Sequence, residues 1–121
     1  VPGKYNLFFK TRKVHKEGGV TVIPVSVTPF FRLPFAWVWM RNMGFWYSAF
    51  CSRFVLAFDD YINIYVHPWE FINLEGFKGK INSMIVNKTG KRFLAKIEKY
   101  INWCKGKDLK FITMKEYADG R

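Results

Sequence analysis

Only two histidines occur in the chain, His15 and His67, and they lie far apart in sequence. His67 sits in Tyr65-Val66-His67-Pro68-Trp69-Glu70-Phe71, at the end of an apolar run that Pro68, having no N–H for a ladder, must stop. In parallel α/β folds and barrels the carboxyl end of an interior strand is where ligands bind and catalytic groups project. An imidazole there can give or take a proton; equally, it can bond a backbone carbonyl and do no chemistry. Trp69 offers a flat ring for stacking a sugar, or a lid over the core. Glu70 either orients His67 through a hydrogen bond or sits in water.

Other familiar chemistry is absent from the spacing of residue types. No close Cys/His pair gives a complete three- or four-ligand zinc site, and Cys51 and Cys104 are too few for a disulfide scaffold. Asp59-Asp60 can bind a cation, but paired acids at an element boundary are more often solvated caps. Gly76-Phe77-Lys78-Gly79-Lys80 lacks the phosphate-loop spacing, and no nucleophile elbow occurs. The sequon Asn87-Lys88-Thr89 matters only on a glycosylating secretory route.

The elements that must position His67 follow from local patterns. Residues 5–9 and 20–27 are β-rich, with Gly18-Gly19 before the second run, predicting a hairpin or two sequential strands. Pro24, Pro29 and Pro34 then predict an extended loop. Residues 43–58 are apolar nearly all round the axis and read as a buried helix. Residues 61–67 read as a strand buried on both faces, as in a parallel sheet. After a Gly- and Lys-punctuated connection, residues 90–105 predict a helix with Phe93, Leu94, Ile97, Ile101 and Cys104 on one stripe and Lys91, Lys96 and Lys99 facing water. Gly106 is its stop. Residues 109–112 read as another short strand, and Thr113 with Glu116 forms a capping box that starts a last helix. Strand, helix, strand, helix is the grammar of an α/β layer or barrel, with residues 61–67 as a central parallel strand beside 20–27 and 109–112.

Composition bounds the rest. The 121 residues suit one modest core, and a fifth of them are aromatic, which excludes a disordered chain. Lys plus Arg number 20 against 9 Asp plus Glu, a net +11 that favours anionic partners. The chain opens at Val1, as expected of a processed protein or part of a longer one, and shows no signal peptide. Arg32, Arg41 and Arg53 interrupt the apolar stretch 30–58, so no spanning helix is expected. Aromatic residues mixed with arginines suit either a helix lying in a membrane interface or a core helix whose arginines snorkel, and the core reading is preferred.

The segment around His67 resembles the late histidine motif of polysaccharide deacetylases of the chitooligosaccharide deacetylase type (carbohydrate esterase family 4), and most of all the exopolysaccharide-associated subgroup, whose motif reads much like Tyr-x-His-Pro-Trp-Glu. Three further stretches are similar to that subgroup, in order: Gly18-Gly19-Val20 to Ile23-Pro24-Val25-Ser26, Phe31-Arg32-Leu33-Pro34, and Phe111-Ile112-Thr113-Met114-Lys115-Glu116. The resemblance spans most of the chain. It implies that residues 1–121 are the C-terminal portion of a deacetylase catalytic domain, part of an incompletely closed (β/α) barrel of the glycoside hydrolase/deacetylase type.

The implied activity is metal-dependent hydrolysis of N-acetyl groups on a polysaccharide or oligosaccharide. In the family an Asp and two His hold a divalent metal, usually zinc, and a second Asp activates the metal-bound water. The late-motif histidine protonates the departing amine, a role the resemblance gives to His67. Tyr65 stands where many relatives carry a leucine lining the acetyl pocket, and Trp69 beside it would contact substrate, with Glu70 supporting the histidine. The Thr-Phe-Asp-Asp-Gly, His-x-x-x-His and Arg-x-Pro-Tyr motifs belong upstream in the family and do not occur here; Ala57-Phe58-Asp59-Asp60-Tyr61 echoes the first in letters but is out of order. The metal ligands are therefore not expected in this chain, which alone would be inactive and would expose, or cover by self-association, a large apolar surface. The rival reading is a non-catalytic module whose basic and aromatic residues bind an acidic glycan, nucleic acid or a membrane surface. No nucleic-acid motif is present and the basic residues are spread over the whole length, which disfavours a nucleic-acid partner.

Overall fold

A computed structural model describes residues 12–120. The chain first makes a hairpin of β1 (His15–Glu17) and β2 (Val20–Val22), antiparallel with His15 opposite Val22. Gly18 and Gly19 between them both take positive φ, 55° and 82°, which a two-residue hairpin turn of this kind demands and glycine supplies without strain. The β-rich run 5–9 lies outside the described residues.

The parallel sheet expected from residues 20–27, 61–67 and 109–112 is not formed: the one sheet among the described residues is the β1–β2 pair. Beyond Val22 the ladder ends near Pro24, which has no N–H to give. Residues 61–67 are extended and pass beside this segment, held there by one main-chain bond and by the Ser26 and Asn63 side chains. Ser26 N donates to Asn63 O at 2.7 Å, Asn63 N donates to Ser26 Oγ at 2.8 Å, and Asn63 Nδ2 donates to the Ile23 and Pro24 carbonyls. Ser and Asn side chains thus take main-chain groups that a ladder would otherwise use. Nor is the run buried on both faces. Ile62, Ile64 and Val66 pack on the core, while the alternating Tyr65 is exposed.

Four helices longer than one turn follow the hairpin. The helix expected over 43–58 forms as α2 (Phe45–Leu56); a further helix that was not expected, α1 (Val38–Met43), precedes it, and Gly44, with φ 91°, separates the two. A single turn, α3 (Ser83–Val86), precedes α4 (Lys91–Gly106), and α5 (Met114–Asp119) closes the chain. In α4, Phe93 and Cys104 are buried and Ile97 packs against them as its stripe predicts, but Leu94 is exposed. Tyr100 joins the core instead, sharing a 2.6 Å hydrogen bond with the Ser52 hydroxyl of α2. Lys96, expected in water, is half-buried and donates Nζ to Arg41 O at 2.6 Å. The α5 capping box forms as read: Thr113 Oγ1 accepts from Glu116 N at 3.1 Å and Glu116 Oε2 accepts from Thr113 N at 2.7 Å.

Two apolar clusters make the core. Met40, Phe93, Tyr100 and Cys104 form one, Phe35, Cys51 and Val55 the other, and Ile64 touches both. The extended run that ends at His67 is therefore clamped by its inward residues between α2 and α4.

Candidate functional site

His67 ends the extended run with φ −100° and ψ 141°, and Pro68 at once starts a 3-10 turn, Pro68–Phe71. The turn brings residue 70 back beneath residue 67. Glu70 Oε2 accepts from His67 N at 2.7 Å, and Glu70 N donates to His67 O at 3.0 Å. The same Oε2 lies 3.4 Å from His67 Nδ1, which is buried and makes no hydrogen bond. Glu70 is thus buried under the histidine rather than in water. His67 itself is about a third exposed, so its open edge is the one carrying Nε2.

Glu70 is fully buried, and a buried carboxylate needs a partner. Arg41 of α1 provides it, donating Nε to Glu70 Oε1 at 3.2 Å, with neither side chain exposed. Arg41 Nη1 also donates to the carbonyls of Ile85 at 2.6 Å and Asn87 at 2.8 Å, tying α1 to the end of α3. Burial pulls the Arg41 guanidinium below its ordinary value, against the opposing pull of the Glu70 charge. Lys96, which donates to the Arg41 carbonyl, is lowered first by burial and then by the neighbouring charges of Lys88, Arg41 and Arg92. Sequence reading took Arg41 for a snorkelling arginine; it is instead the counter-ion under the histidine turn. The available signal was a cation in the middle of the most apolar stretch, one of three there, with Glu17 and Asp59 the nearest carboxylates in sequence.

Aromatic rings wall the histidine. His67 stacks on Trp69 with centroids 5.2 Å apart at 21°, and the edges of Trp37 and Tyr65 meet it at 4.9 and 5.5 Å. Trp37, not foreseen from sequence, has φ 53° and ψ −125°, a conformation costly for a side chain of its size, and its Nε1 is buried without a partner. So Tyr65, His67, Trp69 and Glu70 are brought together, and Trp37 and Arg41 join them from α1 and the residue before it. Chemically, the arrangement offers one solvent-facing imidazole nitrogen, flat rings able to stack on a sugar, and a fixed anion behind the imidazole.

The acidic pair is not part of this site. Asp59 is bound by Arg12 at 2.5 Å, and Asp60 accepts from the Tyr117 hydroxyl at 2.8 Å. Among the described residues no three of His, Cys, Asp and Glu stand together as a donor set for a metal ion. The described residues of this site do not by themselves supply a ligand set for a divalent ion.

Comparisons of the chain with protein-family models, with curated proteins and with solved structures found no match.

Proposed function

We propose that this chain is the C-terminal portion of a polysaccharide deacetylase, a hydrolase of the N-acetyl C–N bond on a glycan, and that His67 is its general acid. The observation that carries the reading is the pairing of a half-open imidazole with a buried carboxylate, inside a motif that resembles the family's late histidine segment. As the C–N bond breaks, His67 Nε2–H delivers its proton to the departing amine, which prevents the amide from re-forming. Glu70, held by Arg41, lies behind the ring and holds the turn that positions it. Trp69 and Tyr65 flank the imidazole and hold the sugar ring and its acetyl group in line. In this reading the divalent metal (zinc, by resemblance) is held by residues that this chain does not supply.

The test is turnover of the full-length protein on an N-acetylated chitooligosaccharide, wild type against His67→Ala, with bound metal measured alongside. A general acid contributes about 10² to 10⁴-fold, so turnover per folded molecule should fall by that factor while metal content stays. Undiminished turnover in His67→Ala ends the assignment. Metal lost in parallel with activity would make His67 a ligand instead. No turnover by the wild-type protein would remove the deacetylase reading altogether.

A further inference from the structure

Helix α2 keeps two of its large aromatic side chains outside the core. Its buried residues are Ser48, Ala49, Cys51, Ser52 and Val55, all small or medium in size. Phe45 and Tyr47 pack against the core, but Trp46 is 79% exposed and Phe50 64%. Spacing by four continues this row through Phe54 to Phe58, two residues beyond the helix end. Phe30 packs edge-on against Phe58 with centroids 5.5 Å apart, and Phe31, 74% exposed, lines a groove of about 980 Å³ together with Trp46, Phe50 and Phe54. A contiguous aromatic face of this extent marks an interaction surface rather than a scatter of exposed residues.

Charge selects the partner. Arg53 stands in the groove wall, and the Lys99 ammonium lies 4.6 Å over the Phe45 ring and 5.9 Å from that of Trp46. From residue 18 to residue 58 the sequence has no Asp and no Glu. The groove lining has neither carboxylate nor amide, the groups that fix sugar hydroxyls. Exposed Trp and Phe, cations among them and no anion is the residue set of a surface that lies in a bilayer interface, where aromatic rings sit at headgroup level and Lys or Arg meets anionic lipid. We propose that the outward face of α2, with Phe30 and Phe31, seats this protein on an anionic phospholipid bilayer. The contact is interfacial; no helix among the described residues is long and apolar enough to cross a membrane. This inference does not rest on the deacetylase reading.

The experiment is vesicle flotation of the full 121-residue chain, on phosphatidylcholine alone and on phosphatidylcholine with about a third phosphatidylglycerol. Wild type should float with the anionic vesicles and stay behind with the neutral ones. Trp46→Ser/Phe50→Ser, with every charge intact, should lose about tenfold or more in partitioning, and Arg53→Gln or Lys99→Gln roughly fivefold each. Circular dichroism confirms that the variants are folded; should the double variant not fold, Phe31→Ser, in a different segment, carries the same test. Flotation unaffected by the serine substitutions, or equal on both vesicles, overturns the proposal. So does a dimer, or retention on an N-acetylglucosamine oligomer, that the same substitutions abolish while wild type never floats.

Discussion

Arg41 and Glu70 meet Nε to Oε1 at 3.2 Å with no part of either side chain exposed, although 29 residues separate them. One carboxylate thereby does two jobs: Oε1 neutralises the guanidinium, and Oε2 caps the amide of His67. The helix before the histidine run and the turn after it are locked by this one group.

Breaking the pair from either side leaves a buried charge without its counter-ion, which typically costs about 3–5 kcal/mol. Arg41→Met and Glu70→Gln should each destabilise the fold on that scale. The double variant should lose less than the sum, because the penalty in each single variant is the stranded partner. Urea denaturation of the four proteins gives the coupling directly. Strict additivity would mean that the two side chains do not depend on each other.

The tyrosines set an alkaline limit. Burial pushes Tyr47 and Tyr61 up to about 12 from the ordinary 10, and Tyr100 higher still. An unfolded tyrosine ionises near 10, so above that pH the unfolded chain releases protons that the folded chain retains. Stability from these groups is complete below pH 10 and is lost as pH rises towards 12. Phenolate absorbance of Tyr47, Tyr61 and Tyr100 should therefore appear together with loss of helix signal. Tyr61→Phe should hold its stability further into that window than wild type. Ionisation of all three in a still-folded chain would contradict the burial that raises them.

What could be read from sequence was the structure that closes locally. The Thr113–Glu116 box, the Gly18-Gly19 turn and the α4 helix each involve residues within a turn or two of one another, and all three formed, although Leu94 of the expected α4 stripe is exposed. His67 over Glu70 belongs to the same kind, since Pro68 forces a turn that brings residue 70 under residue 67. Strand pairing was not legible, because an apolar alternating run looks the same with or without a ladder. Here Ser26 and Asn63 decided the matter with their side chains. The facing of α2 was equally hidden: a helix apolar all round shows no preferred side, and which side is covered depends on Tyr100, 48 residues beyond Ser52. Arg41 and Trp37 entered the histidine site for the same non-local reason.

Cys51 and Cys104 are both buried, and burial raises both thiols above their ordinary value, only partly offset by hydrogen bonds with Tyr47 and Tyr100. Less thiolate and no access should make alkylation slow in the native protein. Iodoacetamide at neutral pH should label both only at the rate of unfolding, and labelling should accelerate in urea along the unfolding transition. Rapid native labelling of Cys51 would mean that the cluster it shares with Phe35 and Val55 opens readily.

Gly44 is where the two halves of the site's support change direction. Its φ of 91° and ψ of 174° lie in a region essentially reserved for glycine, and the break lets α1 aim Arg41 at Glu70 while α2 aims Ser52 at Tyr100. A methyl group added at Gly44 would meet no atom within 4 Å, so the cost of Gly44→Ala is backbone strain and not a clash. That strain is on the order of 1–3 kcal/mol, reduced slightly by the lower entropy of the unfolded alanine chain. Gly76 is the control, since alanine there also meets nothing within 4 Å and its φ is not positive. Denaturant midpoints should therefore fall clearly for Gly44→Ala and hardly at all for Gly76→Ala. If the strained helix break is what presents Arg41, the aromatic circular dichroism of Trp37 and Trp69 around His67 should also weaken in Gly44→Ala before the chain unfolds. Equal midpoints for the two variants would show that the turn between α1 and α2 is set by the packing on either side, with Gly44 only tolerating it.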